Sequence, residues 1–230
     1  MDLRDFYTTS TIANSSQRGY YPEKTIFIHR HLSRLSANHQ SPLKILDVAC
    51  NDGELTSGYQ SFGNVLGIDI NPVSIAKCQQ RQINCLCTSI ENIPSRYHHT
   101  FDVIIAGDII EHVFDTDLFL DHIRTLLLPG GTLLLTTPNV ASLPRRFLLL
   151  LGINPFLEYS TQLPSQDYNV GHVRYYTAVN LRHQLQHHGF LSIELKGDRI
   201  HLAPTLFFPI SIAQYLPTLS RHLLAAAVNP

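Results

Sequence analysis

Along the chain, continuous apolar runs alternate with stretches of helical spacing. Leu43–Val48 (LKILDV), Gly63–Ile70 (GNVLGIDI), the weaker INCLCTS beginning at Ile83, Phe101–Gly107 (FDVIIAG) and Gly130–Pro138 (GGTLLLTTP) read as five strands. They are apolar without a strict in-and-out alternation, the pattern of strands covered on both faces. The segments between them read as helices. Asn71 and Pro72 supply a cap and a first-turn proline to VSIAKCQQR. Asp115 or Thr116 caps DLFLDHIRTLL, where Leu118, Phe119, Ile123, Leu126 and Leu127 recur at helical spacing. Thr177 caps a further helix with Leu181 and Leu185 on its apolar face and Gly189 at its end, and Phe190–Leu195 follows as a strand. Strands and helices in alternation predict an α/β fold: a doubly wound, mostly parallel sheet of Rossmann-like type.

Two regions break the alternation. Residues 1–42 precede the first strand and hold a helix around 23–38, so they form an N-terminal helical segment. Residues 139–176 interrupt the pattern with prolines, glycines and a short amphipathic piece. A long insertion that is rich in apolar and aromatic residues reads as a lid over a substrate. The expected organisation is therefore a helical segment (1–42), a cofactor-binding core (43–138), a lid (139–176) and a C-terminal part of the same domain (177–230). That last part ends in the apolar, proline-broken LAPTLFFPISIAQYLPTLSRHLLAAAV, which suits a homodimer contact, a pocket wall or a peripheral membrane contact.

Composition narrows the classes. At 230 residues a single core is expected, and 17 Lys plus Arg against 18 Asp plus Glu give no basic field to draw in nucleic acid. Cys50, Cys78, Cys85 and Cys87 make no C-x-x-C pair, so buried reduced thiols are expected rather than a zinc site. The N-terminus lacks an apolar signal region, and the longest apolar block, Phe147–Leu151, is too short to span a bilayer. The expectation is a cytoplasmic protein with no integral membrane segment.

In a doubly wound sheet the ligand lies at the carboxyl ends of the strands. Four polar stretches fall there: DVACNDG, DINP, SIENIP and AGDIIEH. Gly53 allows a ligand close to backbone, Asp69 can accept both hydroxyls of a ribose, and Ser89 offers a hydroxyl at the depth of an adenine edge. Asp47 and Asp52 would repel a pyrophosphate, and the loop lacks the G-x-G-x-x-G spacing of a nicotinamide-dependent oxidoreductase. Nucleoside binding fits; pyrophosphate binding does not.

LDVACNDG, GIDINP, FDVIIAGDIIEHV, LLPGGTLLLTTPN and GHVRYYT, taken in order over residues 20–195, resemble the motifs of class I S-adenosylmethionine-dependent methyltransferases. The resemblance is to the branch that includes the ubiquinone-biosynthesis type of O-methyltransferase. It implies that S-adenosylmethionine is the cofactor, with Asp47 and the loop through Ala49, Asn51 and Gly53 on its methionine moiety. Asp69 and Ile70 would take the ribose, Ser89 and Ile90 the adenine, and Gly107 and Asp108 the region of the sulfonium. Ala49 and Asn51 stand where the usual D-x-G-x-G-x-G loop has glycines, and Asn tolerates positive φ best among other residues.

Asp108-x-x-Glu111-His112 matches the acceptor side of that branch. His112 is then a general base with Glu111 or Asp108 orienting it, and His172, with Tyr175, follows the lid to close over the acceptor. A divalent metal held by Asp108, Glu111 and His112 is a second reading of the same residues; a helix-capping role for Asp47 and Asp69 and a packing role for the histidines are the plain ones. The function expected is methyl transfer to a hydroxyl of a small molecule such as a natural product, quinone-like phenol or sugar. The alternatives are transfer to a small-molecule amine, a nucleic-acid methyltransferase or a non-catalytic cofactor-binding protein. The aromatic Asn/Asp-Pro-Pro turn used on base amino groups is missing after the fourth strand, where AGDIIEH stands instead.

Overall fold

The computed structural model describes residues 21–155, 171–203, 206–208 and 210–230. Pro22 opens helix α1 (Pro22–Ala37), where its fixed φ suits the first turn, and Phe27, Ile28 and Leu32 form the buried stripe. The chain continues through β1 (Leu43–Val48), α2 (Glu54–Ser57), β2 (Gly63–Asp69), α3 (Pro72–Gln80), β3 (Asn84–Cys87), β4 (Phe101–Gly107), α4 (Thr116–Leu126) and β5 (Leu127–Pro138). After these come α5 (Leu143–Leu150), α6 (Ala178–His187), β6 (Leu191–Gly197), β7 (Ile200–Ala203), β8 (Leu206–Phe208), α7 (Ile210–Ala213) and β9 (His222–Val228).

Seven strands make one sheet in the order β3-β2-β1-β4-β5-β9-β6. The chain winds outward from β1 to β3 and restarts on the other side at β4, so the switch point lies between β1 and β4. Those two strands pair in parallel, Asp47 opposite Ile105 and Val48 opposite Ala106. β9 runs antiparallel between β5 and β6, while β7 and β8 form a separate two-stranded hairpin. Both faces are covered, as the unalternating apolar runs require. Leu46, Ile104 and Leu133 pack with Phe119, Ile123, Leu181 and Leu185 on one side. Ile45, Val103, Ile105 and Leu134 pack with Phe27, Ile28 and Leu32 of α1 on the other.

The caps lie where the sequence places them: Asn71 accepts from the Val73 and Ser74 N–H groups, and Thr177 forms a reciprocal capping box with Asn180. Of the two residues proposed to cap α4 it is Asp115 that does so, accepting from Leu118 N–H at 2.9 Å. Two readings are corrected. β5 begins at Leu127 rather than Gly130: Leu127 pairs with Phe101, and the ladder resumes at Thr132 opposite Val103. The end of the apolar C-terminal stretch is not a surface segment but the internal strand β9, with Leu223, Leu224, Ala225 and Ala227 at most 1% exposed. Cys50, Cys78 and Cys85 are buried free thiols in one small cluster, and Cys87 is free and exposed.

Candidate active site

The loop after β1 takes three left-handed residues in five: Ala49 (φ 60°), Asn51 (φ 50°) and Gly53 (φ 77°). Gly53 is there for space as well as angle, because a Cβ would sit 2.6 Å from Ile83 Cδ1 and 2.8 Å from Cys78 Sγ. Ala49 and Asn51 thus hold glycine-like backbone without being glycine, at a cost on the order of 1–2 kcal/mol each for an ordinary residue. Asn51 offsets part of this. Its N–H donates to Asp69 at 2.9 Å, and its Oδ1 accepts from Ser74 Oγ at 2.9 Å. Asp47, buried at the end of β1, accepts from Thr56 Oγ1 at 2.6 Å. Burial pushes its carboxyl up to about 6, against the Thr56 hydrogen bond and the Lys24 charge, which pull it down.

Asp69 ends β2 with one oxygen on Asn51 N–H and the other on Asn71 N–H at 2.8 Å. The Ile70 N–H also acts on this carboxylate, and the acceptor capacity left over is what a ribose hydroxyl could use. Burial raises its carboxyl and the backbone N–H groups oppose that rise. Ile70 is half-buried beside it. Past β3, Ser89 precedes a single 3-10 turn and its Oγ accepts from Asn92 Nδ2 at 3.0 Å. Ile90 is 4% exposed and packs into the core, so its side chain does not line the edge.

At the end of β4, Gly107 carries Lys24 against it: a Cβ there would lie 2.9 Å from Lys24 Nζ. Asp108 has φ 54° and gathers three donors, Lys24 Nζ at 2.9 Å, Thr136 Oγ1 at 2.8 Å and Tyr21 Oη at 3.2 Å. Burial would raise the Asp108 carboxyl, but Lys24 and the nearby His222 outweigh it and hold it below the usual carboxylate range. Lys24 acts on Asp47 and Glu111 as well, and Asp69 on Asp47. The ends of β1, β2 and β4 therefore share one electrostatic site, bridged by a lysine from α1.

Glu111 is 2% exposed, accepts from Thr137 Oγ1 at 2.9 Å through one oxygen and leaves the other, Oε1, without a hydrogen-bond partner. Burial and the Asp108 charge push it up to about 8. His172 Nε2 lies 4.0 Å from Oε1, and the His112 and His172 rings meet at 4.8 Å between centroids. His112 Nδ1 bonds the Gly171 carbonyl at 3.2 Å. A carbonyl only accepts, so Nδ1 carries a proton, and in the neutral ring the lone pair is then on Nε2. The chain returning from 171 is tied here, with Val173 and Arg174 N–H donating to the Glu111 carbonyl at 2.9 and 3.0 Å.

One donor atom each from Glu111, His112 and His172 lie within 4.8 Å of one another, a set that could hold a divalent ion. The metal reading from sequence drew on Asp108, whose carboxylate faces Lys24; the structure groups His172 with Glu111 and His112 instead. Sequence reasoning missed Tyr21, Lys24, Thr56, Thr136 and Thr137. Lys24 and Tyr21 carry no local signal, since they reach Asp108 across 84 and 87 residues of chain.

A parallel sheet wound from β1 to β5 with one antiparallel strand inserted at its far side, and acids at the ends of β1 and β2, define the class: the Rossmann-like methyltransferase fold. The chain belongs to the methyltransferase-domain family, whose model matches residues 21–195. Among curated relatives, the mitochondrial ubiquinone biosynthesis O-methyltransferase of Homo sapiens is 36% identical over 132 residues, covering 51% of this chain and 36% of that protein. The ubiquinone biosynthesis O-methyltransferase of Nitrobacter winogradskyi is 33% identical over 111 residues, covering 45% of this chain and 42% of the other. The matched part thus spans about two-fifths of these relatives. Among solved structures, the N-methyltransferase NodS of Bradyrhizobium japonicum with S-adenosyl-L-homocysteine superposes with a TM-score of 0.61 at 17% identity, covering 99% of this chain and 96% of that one. At that identity it speaks for the fold alone.

Proposed function

We propose that the protein transfers a methyl group from S-adenosylmethionine to a hydroxyl of a small molecule, with a quinone-like phenol, a natural product or a sugar as acceptor classes. The observation that carries this reading is the convergence of Asp47, Asp69, Asp108 and Lys24 on one sheet edge beside Glu111, His112 and His172. The donor set fits the cofactor. Its amino-acid end bears an ammonium and a carboxylate; Asp47 and Asp108 suit the first, Lys24 the second, and the loop from Ala49 through Asn51 to Gly53 lets it approach backbone. Asp69, with Ile70 beside it, would take the ribose, and Ser89 with the Ile90 backbone the adenine edge. Gly107 would line the sulfonium region. When bound, the cofactor supplies an electrophilic methyl group.

The remaining work is done by this chain's own groups. His112, with its proton fixed on Nδ1, presents Nε2 as the base that takes the proton of the acceptor hydroxyl. Glu111, whose carboxyl burial and the Asp108 charge raise, would help hold His112 and His172 beside the acceptor. His172 would close the acceptor side from the segment 139–176, whose described ends meet at the site where Val140 N–H donates to the Tyr176 carbonyl at 2.8 Å. The names of the relatives support oxygen as the acceptor atom.

The test is transfer of labelled methyl from S-adenosylmethionine to a panel of catechols, phenols, sugars and amines, wild type against His112→Ala. With the acceptor found, the variant is expected to lose at least about a hundredfold in turnover, the low end for a general base. Turnover within about threefold of wild type, under ~1 kcal/mol of barrier, would show that His112 is not the base. An acceptor confined to amines would move the assignment to nitrogen. Activity lost to a chelator and restored by Mg²⁺ would give Glu111, His112 and His172 to a metal.

A further inference from the structure

The motif LLPGGTLLLTTPN ends on Asn139, a residue to which binding and transfer assign nothing. It is 0% exposed. Its Nδ2 donates to the carbonyls of Ser220 at 2.8 Å, Pro217 at 3.2 Å and Thr218 at 3.3 Å, and its Oδ1 accepts from Ala141 N–H at 2.9 Å. An amide has two N–H donors, so these are shared among three carbonyls of one turn. The Ala141 contact is an Asx turn, which fixes the exit of the chain from the sheet after Pro138.

Two arms of the site meet at this residue. On one, Asn139 bridges to Tyr176, and Val140 N–H donates to the Tyr176 carbonyl at 2.8 Å. That segment runs back through Arg174 and Val173, both on the Glu111 carbonyl, to His172 and to Gly171 on His112 Nδ1. On the other arm, Asn139 N–H donates to the Arg221 carbonyl at 2.8 Å, beside the turn that its amide holds. The next residue, His222, stacks on Tyr21, one helical turn from nothing but the lysine that reaches Asp108. The end of β5 therefore serves the site three times: Thr136 on Asp108, Thr137 on Glu111, and Asn139 on the two arms.

We propose that Asn139 is a positioning residue for methyl transfer, holding the His172 segment in register with the His222 segment so that acceptor and cofactor meet. The inference rests on the proposed function. A misplacement of about 1 Å between reacting groups can lower a rate on the order of a hundredfold. The experiment compares wild type with Asn139→Ala below their melting temperatures; Asn139→Ser, which keeps a hydroxyl among the carbonyls, replaces it where the alanine variant does not fold. Turnover at saturating cofactor, on the acceptor found in the panel, is expected to fall at least about tenfold. Affinity for S-adenosylhomocysteine should fall at least about threefold. A merely structural role would lower the melting temperature and leave both values unchanged in the folded protein. Hydrogen exchange supplies a measurement on wild type itself: the amides of Val173 and Arg174 on one arm and Leu143 and Arg221 on the other should share one opening free energy. Turnover and affinity within about twofold of wild type, or separate opening energies for the two arms, overturns the proposal. A wild type that methylates no acceptor fails the proposed function instead, and the exchange and the S-adenosylhomocysteine affinities then still decide whether Asn139 couples the arms.

Discussion

Asp47 shows how one residue couples stability to ligand chemistry. Its carboxyl is buried, held by Thr56 Oγ1 at 2.6 Å, and pushed from 3.8 up to about 6. In the ligand-free protein a raised carboxyl favours folding only while it stays protonated. That contribution is complete below the unfolded value near 3.8 and is lost as pH rises through about 6. Asp47→Asn keeps an acceptor for Thr56 and removes the proton, so between pH 4 and 6 its unfolding free energy should lack a decline worth up to about 3 kcal/mol that wild type shows. Denaturant midpoints at pH 4.5 and 7 check this, and parallel pH profiles for the two proteins would refute it. A cofactor ammonium favours the ionised carboxylate, so affinity for the cofactor should rise with pH over the same window in wild type alone. The acid itself was legible in DVACNDG; its protonation was not, because burial by α1 and α2 is a tertiary fact.

The elements that position the site from outside the sheet edge are α1 and β9. Tyr21 stacks on His222 with centroids 4.0 Å apart and planes 7° apart, and Asp198 holds His222 through Nδ1 at 2.6 Å and through its backbone N–H at 2.7 Å. The first turn of α1, with Lys24 in it, is thereby pinned over Gly107 and Asp108. Removing the ring should loosen that turn at the cost of a stacked pair, about 0.5–1.5 kcal/mol. His222→Ala is accordingly expected to weaken binding of S-adenosylhomocysteine about two- to tenfold with turnover at saturating cofactor unchanged, and His222→Phe to restore most of the loss. Equal calorimetric affinities for wild type and His222→Ala would remove the clamp from the account. β9 was not readable in advance. HLLAAAV is short and alanine-rich, and only its place between β5 and β6 makes it a strand. β1, β2 and β4 were readable because continuous apolar runs bounded by turn residues have few other uses.

For the whole molecule, sequence order carried the winding of the sheet and hence the edge where Asp47, Asp69 and Asp108 meet, while the far partners of those residues remained hidden. Lys24 and Thr136 reach Asp108 from positions 84 and 28 residues away, and no local periodicity encodes such pairs. The consequence is thermodynamic. A site assembled from α1, β1, β2 and β4 exists only in the folded chain, so its ligand must stabilise the entire domain. S-adenosylhomocysteine at a hundred times its Kd should add about 2.7 kcal/mol, which for a chain of this length raises the melting temperature by roughly 5–11 °C. Asp69→Ala removes the diol acceptor and should weaken binding by about 1.5–3 kcal/mol. At the same ligand concentration the shift then falls to less than half of the wild-type value. NAD is the control: the loop after β1 lacks the glycine spacing that brings backbone N–H groups to a pyrophosphate, so NAD should leave the melting temperature unchanged. A shift with NAD equal to that with S-adenosylhomocysteine would place a dinucleotide on this edge and undo the assignment of Asp69 and its loop.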